Sequence, residues 1–146
     1  AISRKTHDGT VFDNLTFINS IAETGSGGAI YWKEPGVYTS TYMARCNFTN
    51  TSANQLGGAI YREQTNLIFD VNIVNTSAKR GGAIYFTNSS DCSILKCSLF
   101  DIGTNGVFVD GKNSNITVSK CHFKDLGASG VCFVGKSEYL LKLLLC

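Results

Sequence analysis

The pentapeptide Gly-Gly-Ala-Ile-Tyr occurs three times, and it constrains the fold more than any other feature of the sequence. The copies lie at 27–31, 57–61 and 81–85, and weaker versions follow at 105–109 and 129–133. Their second glycines are Gly28, Gly58, Gly82, Gly106 and Gly130, so the interval is constant after a longer first step. A fixed period of roughly two dozen positions is typical of a solenoid, in which copies of one unit stack on each other.

A second pattern keeps the same step: an apolar residue, any residue, another apolar residue, any residue, then Asn or Asp. It occurs at 15–19, 46–50, 71–75, 97–101 and 121–125. Side chains of a strand alternate between its two faces, so this pattern predicts a strand with two apolar side chains on its buried face.

The same alternation within Gly-Gly-Ala-Ile-Tyr predicts a second strand in each repeat. It places the alanine and the tyrosine inside and the isoleucine outside, with each tyrosine ring stacked near its equivalent. The residues predicted to be buried are Ala29, Tyr31, Ala59, Tyr61, Ala83 and Tyr85, with Val107, Val109, Val131 and Phe133 as equivalents.

Repeats made only of strands predict an all-β fold. We predict a right-handed parallel β-helix with about five coils, a period of roughly 24 residues and a rise of roughly 4.8 Å per coil. A leucine-rich repeat is the main alternative, but here the Asn or Asp follows the last apolar position by two residues instead of three. We expect residues 1–146 to be a single domain taken from a longer solenoid, with 140–146 as a cap or disturbed terminal coil.

The composition argues against several classes of partner and site. The 146 residues carry a formal net charge of +2 without a dense basic run, so nucleic acid is not expected as a partner. No run of about 18 apolar residues is present, so no membrane span is predicted. There is no Cys-x-x-Cys motif, and His7 and His122 lie far apart in the sequence, so neither a metal site nor a cofactor is predicted.

Three of the six cysteines occupy the same predicted inward site, where Leu15 and Val71 stand in other coils. They are Cys46, Cys97 and Cys121. We predict unbonded thiols that react slowly in the native protein. A disulfide between the last two remains an alternative, because stacking brings their Cα atoms about 5 Å apart, although parallel side chains give a poor dihedral angle.

Asparagine and aspartate recur at one turn position. The residues are Asn19, Asn50, Asn75, Asp101 and Asp125. These residue types tolerate left-handed backbone angles, and the stacked amides are expected to pair into a ladder. Asn50 and Asn75 also fit the N-glycosylation acceptor pattern, as do Asn14, Asn47, Asn88 and Asn115, and that alternative stays open in a eukaryotic secreted protein.

The segments 48–61 and 73–85 resemble the repeats of chlamydial polymorphic outer membrane proteins. They are equally similar to repeats of adhesin-like β-helix proteins from gut archaea and some protists. The later segments 105–109 and 129–133 resemble the pectate-lyase-like β-helix superfamily. The resemblance implies an extracellular or cell-surface region that is used for adhesion.

Two groups of residues are candidates for ligand binding. Lys96, Lys120 and His122 are predicted on the outward face of the second strand, where stacked lysines suit an acidic glycan. The insertion at 32–41 contains Trp32 and Tyr38, which suit stacking on a sugar if they are exposed and cover the end of the core if they are not.

We therefore predict a structural or adhesive β-helix region whose partners are host or environmental glycans or surface proteins. The alternative is part of a carbohydrate-active enzyme, a polysaccharide lyase or glycoside hydrolase, whose catalytic coils lie mostly outside this chain. Acidic residues are sparse; Asp101 and Asp125 are aligned for such chemistry, but their repeated turn position accounts for them structurally. No catalytic residue is assigned from the sequence.

Overall fold

The structure is a computed structural model that describes residues 2–4, 11–33, 42–63, 67–135 and 142–144. These residues form strands and turns and contain no helix. The strands are β1 (Ile2–Arg4), β2 (Val11–Asp13), β3 (Thr16–Ile18), β4 (Ile21–Ala22), β5 (Ile30–Lys33), β6 (Tyr42–Ala44), β7 (Asn47–Ala53), β8 (Ile60–Glu63), β9 (Leu67–Phe69), β10 (Asn72–Ser77), β11 (Ile84–Thr87), β12 (Ser93–Leu95), β13 (Ser98–Ile102), β14 (Val107–Asp110), β15 (Thr117–Ser119), β16 (His122–Leu126), β17 (Val131–Val134) and β18 (Lys142–Leu144).

The strands form three parallel sheets of six strands each. Sheet A has the order β1-β5-β8-β11-β14-β17, and sheet B has the order β18-β15-β12-β9-β6-β2. Sheet C has the order β16-β13-β10-β7-β3, and β4 also pairs with β7. The chain passes from sheet B to sheet C to sheet A and then begins the next coil. The predicted all-β parallel β-helix is confirmed. Of the predicted cap at 140–146, only β18 is among the described residues, and it pairs with β15.

The repeat is less regular than the glycine spacing predicts. In sheet A, Ile30 pairs with Ile60 and Ile60 pairs with Ile84, but Ile84 pairs with Val107. The step from Ile84 to Val107 is therefore one residue shorter than the step before it, and Val107 is equivalent to an isoleucine instead of an alanine. The prediction that Val107 and Val109 correspond to Ala83 and Tyr85 is wrong by one residue.

The faces of sheet A are the reverse of those that alternation predicts. The alanines are buried as predicted, but the isoleucines after them are also buried, with Ile30, Ile60 and Ile84 at most 1% exposed. The strands begin at these isoleucines, and each alanine lies in the preceding turn. The two glycines form that turn, so strand alternation starts one residue later than the pentapeptide suggests.

The tyrosines accordingly form a ladder on the outer face of sheet A. Tyr31 stacks on Tyr61 at 4.9 Å between ring centroids, and Tyr61 stacks on Tyr85 at 5.6 Å. Phe108 continues the stack at 5.6 Å. The predicted stacking is confirmed, but Tyr31 and Tyr61 are only half-buried. Partial burial within the ladder still raises the pKa of Tyr61 to about 12.

Sheet C has the faces that the sequence predicts. Its inward side chains Cys46, Phe48, Val71, Ile73, Cys97 and Leu99 are all buried. Leu15 is 36% exposed, and Cys121 and Phe123 are half-buried. These three belong to the first and last coils of the described part, where the core has a neighbouring coil on one side only.

The predicted asparagine corner is confirmed; it follows β3 and lies within β7, β10, β13 and β16. Its residues Asn19, Asn50, Asn75, Asp101 and Asp125 have φ angles of 54°, 53°, 52°, 52° and 53°. Asn50 Nδ2 donates to Asn19 Oδ1 at 3.1 Å, and Asn75 Nδ2 donates to Asn50 Oδ1 at 2.7 Å. Asn and Asp tolerate this left-handed conformation, and the ladder satisfies side-chain groups that the turn would otherwise leave to solvent.

Two threonines beyond this corner carry buried hydroxyl groups without a hydrogen-bond partner among the described residues. They are Thr51 and Thr76, which occupy equivalent positions in β7 and β10. Ile102 occupies the same position in the next coil.

We expect Thr76→Val to raise the free energy of unfolding by about 1 kcal/mol, because it removes an unsatisfied polar group at nearly constant volume. Urea denaturation measures the change. Thr49→Val, on the half-exposed outer face, is the control and should give no comparable gain.

Candidate functional site

A shallow depression lies on the outer face of sheet C and has a volume of about 380 Å³. It is formed by β10, β13 and β16 and by the left-handed corner within them. Its lining residues are Val74, Phe100, Asp101, His122, Lys124 and Asp125.

Strand alternation and register place the side chains of the depression. Val74 pairs with Phe100 and Phe100 pairs with Lys124, so the three form an outward column across adjacent coils. His122 begins β16 and is exposed. Its ring lies 5.3 Å from the Phe100 ring, at 62° between their planes. The edge contact holds an apolar surface and an imidazole side by side.

Two carboxylates border this surface. Asp101 and Asp125 occupy the left-handed corner in adjacent coils, and neighbouring strands in such a sheet lie about 4.8 Å apart. Lys124 Nζ lies 3.6 Å from Asp125 Oδ2, with both side chains more than half exposed. Solvent screens such a pair strongly, so it contributes little to stability. Asp101, Asp125 and Lys124 together contribute a formal charge of −1 to the depression.

The predicted lysines do not line this depression. Lys96 and Lys120 are aligned one coil apart as predicted, since the strands on both sides of them pair in register. They lie on the corner between sheets B and C, with φ angles of 54° each, and not on the strand. The same corner column also contains Asp70 and Arg45. Arg45 forms an ion pair with Asp13. The column therefore mixes both signs of charge.

Trp32 belongs to the core. It is 1% exposed, and its ring meets the Phe12 ring edge-on at 5.0 Å. The guanidinium carbon of Arg62 lies 5.3 Å from the Trp32 ring centroid. Of the two alternatives for this residue, sugar stacking is excluded because no ring face reaches solvent. Tyr38 lies outside the described residues, as does His7.

Sequence reasoning missed Val74, Phe100 and Arg62. The first two are apolar residues at an outward strand position that Thr49 and Lys124 fill in other coils, and this departure from alternation was the signal for a surface feature. Arg62 is only 2% exposed, because it pairs with Trp32 on the inward face of sheet A. Alternation that places Tyr61 inside would place its neighbour Arg62 outside, so the reversed faces of sheet A concealed this burial.

The cysteines of the described part of the chain lie outside this depression. No disulfide joins these cysteines, which are Cys46, Cys92, Cys97, Cys121 and Cys132. Within the described ranges, no group of three or more His, Cys, Asp or Glu residues is arranged to hold a metal ion. No helix in those ranges has the length and apolar character needed to cross a membrane.

A protein-family model, described as a right-handed beta helix region, matches residues 1–141. No curated protein and no solved structure matches the chain. The family match covers nearly the whole sequence and agrees with the three parallel sheets, and it confirms the right-handed sense predicted from the repeats. The chain therefore belongs to the right-handed β-helix family.

Proposed function

We propose that this chain is a glycan-binding region of a secreted or surface-displayed β-helix protein, and that the depression on sheet C holds the ligand. The carrying observation is that one open surface combines an aromatic ring, an imidazole, two carboxylates and an ammonium group. Small-ligand sites commonly combine apolar walls with a few convergent polar groups.

Each side chain has a role in this proposal. The Phe100 ring and Val74 offer an apolar surface for the C–H groups of a sugar ring. Asp101 and Asp125 accept hydrogen bonds from sugar hydroxyls. Lys124 donates hydrogen bonds to the hydroxyl oxygens of the sugar. The His122 ring provides both a donor and an acceptor in its neutral form.

The charge of the depression favours a neutral, hydroxyl-rich glycan over an acidic one. A polyanion would face a surface with a formal charge of −1, and the two carboxylates would repel it. The lysines at 96 and 120, which suit an acidic glycan, lie on a different corner beside Asp70. We therefore keep the glycan hypothesis for a neutral sugar instead of an acidic one. Of the three residues predicted on this strand face, only His122 lines the depression.

We expect Asp125→Asn and Phe100→Ala each to weaken binding of a neutral oligosaccharide about tenfold or more, on a glycan array and by calorimetry. Asn preserves the left-handed corner, because Asn19, Asn50 and Asn75 occupy the same position in other coils. The change therefore removes a charge without changing the turn.

The control is Asn47→Ala, which alters the exposed residue of β7 that is register-equivalent to His122 but lies three coils away from it. Its affinity should match the wild type. Binding should also vary little with salt, since ions screen only charge attraction. Strong binding of acidic glycans that falls with salt and with Lys96→Ala or Lys120→Ala would place the site on the lysine corner and overturn this assignment.

The adhesive role and the extracellular location are proposed from the sequence resemblance of segments 48–61 and 73–85 to repeats of adhesin-like surface proteins. Solenoids also present extended surfaces that suit contacts with large partners. Display of the chain on a non-adherent cell should confer attachment to glycan-coated surfaces, and Asp125→Asn should reduce it.

An enzymatic function is the second candidate, because Asp101 and Asp125 border the same depression in adjacent coils. The spacing of adjacent strands is close to the roughly 5–5.5 Å separation of carboxylates in retaining glycosidases. Both carboxylates are exposed, whereas a general acid needs surroundings that keep it protonated. Cleavage of the bound oligosaccharide that disappears in Asp101→Asn, with binding retained, would establish the enzyme instead of the binding region.

A further inference from the structure

Cys97 and Cys121 occupy the same inward site of sheet C in adjacent coils. Ser98 pairs with His122, and the residues before them are aligned in the same way. Adjacent parallel strands lie about 4.8 Å apart, which is within the Cα separation that a disulfide spans. Cys46 belongs to the same column, but Val71 occupies the site in the next coil, so this cysteine has no such neighbour among the described residues.

The two thiols differ in exposure. Cys97 is buried, and Cys121 is half-buried. Hydrogen bonding from the neighbouring Cys97 thiol lowers the pKa of Cys121 below the ordinary value of a thiol. Hydrogen bonding with Cys121 raises the pKa of Cys97, and burial of this thiol raises it further. Cys121 is therefore the thiol that ionises first and that an oxidant in solvent reaches first.

We propose that Cys97 and Cys121 form a redox modification site, in which a small disulfide oxidant such as oxidised glutathione converts the two thiols into a disulfide between adjacent coils. The Cys121 thiolate attacks the oxidant, forms a mixed disulfide and releases one glutathione. Cys97 then loses its proton and attacks the Cys121 sulfur, which forms the protein disulfide and releases the second glutathione. Two protein thiols are oxidised and one glutathione disulfide is reduced.

The reaction requires one side chain to turn. Each sulfur lies 3.3 Å from the backbone carbonyl oxygen two residues earlier, so the two sulfurs point in the same direction. Cys121 has the freedom to turn because it directly precedes β16, the edge strand of sheet C in the described part of the chain. Once Cys121 is a mixed disulfide, its thiolate no longer holds the Cys97 proton, and the resolving step becomes easier.

The test uses the reduced wild-type chain in its native state. After incubation with oxidised glutathione and alkylation of the remaining thiols, trypsin cleaves after Lys96, Lys112, Lys120 and Lys124. We expect peptide 97–112 to be joined to peptide 121–124, at a yield at least about tenfold above any other cysteine pair. In denaturant the same oxidant should give mixed pairs, because the specificity comes from the fold.

Two variants complete the test. Cys46→Ser should leave the cross-link unchanged, while Cys121→Ser should abolish it and leave Cys97 as slow to react as Cys46. Recovery of peptides 97–112 and 121–124 unlinked from the oxidised native wild type, or with glutathione retained on Cys121, would overturn the proposal. That outcome is read from the wild type alone, so it does not depend on the folding of any variant.

Discussion

Gly58→Ala is expected to abolish cooperative folding, with a loss of at least about 4 kcal/mol in the free energy of unfolding. A Cβ atom at this position would lie 1.9 Å from the Gly82 carbonyl oxygen and 2.7 Å from the Ser77 carbonyl oxygen. Both are backbone atoms of the next coil, so relief requires the coils themselves to separate. Gly28 meets the Gly58 carbonyl oxygen in the same way, at 2.0 Å.

Gly25→Ala is the matched control, because a Cβ atom there has nothing within 4 Å. Urea denaturation followed by circular dichroism and by the fluorescence of the single tryptophan measures both variants. A Gly58→Ala protein that unfolds at the same urea concentration as Gly25→Ala would show that the coils do not approach this closely.

Trp32→Ala is expected to lower the free energy of unfolding by about 3–5 kcal/mol, the usual cost of truncating a buried aromatic residue. The indole fills the inward face of β5 between Phe12 and Arg62, so its removal leaves a cavity beneath a buried guanidinium group. Urea denaturation followed by circular dichroism measures the loss.

Tyr31→Ala is the control for this prediction. It changes the neighbouring residue of the same strand, which lies in the half-exposed outer ladder, and it should cost less than Trp32→Ala. The opposite ranking would mean that sheet A has the faces predicted from alternation within the pentapeptide. The pair of variants therefore tests the register as well as the burial of Trp32.

Local chemistry accounts for the parts of the fold that were predicted correctly. In sheet C, alternation begins directly after a corner and ends at an Asn or Asp that tolerates positive φ, so both limits of the alternating segment are visible in the sequence. Phe48 and Leu99 are buried, and Asn50 and Asn75 form the amide ladder, as predicted. Each of these outcomes follows from a short segment and its equivalent in the next coil.

The register of sheet A could not be obtained in this way. The pentapeptide does not reveal which of its side chains point into the core. Ala59 and Ile60 are both buried, and only the position of the turn decides where strand alternation begins. The shortened step between Ile84 and Val107 was hidden for a similar reason. A regular glycine spacing does not reveal a turn that is one residue shorter.

The sequence by itself determined that strand-only coils stack with a period of roughly two dozen positions, because periodicity and turn chemistry are local properties that recur in every copy. Only the tertiary structure decided which residues share a surface. In the structure, Trp32 and Arg62 are buried, and the Phe100 ring lies beside the His122 ring. The lysines at 96 and 120 lie on a corner. A one-residue change in register inverts a strand's faces, and a site formed by side chains from successive coils exists only once the register of every coil is set.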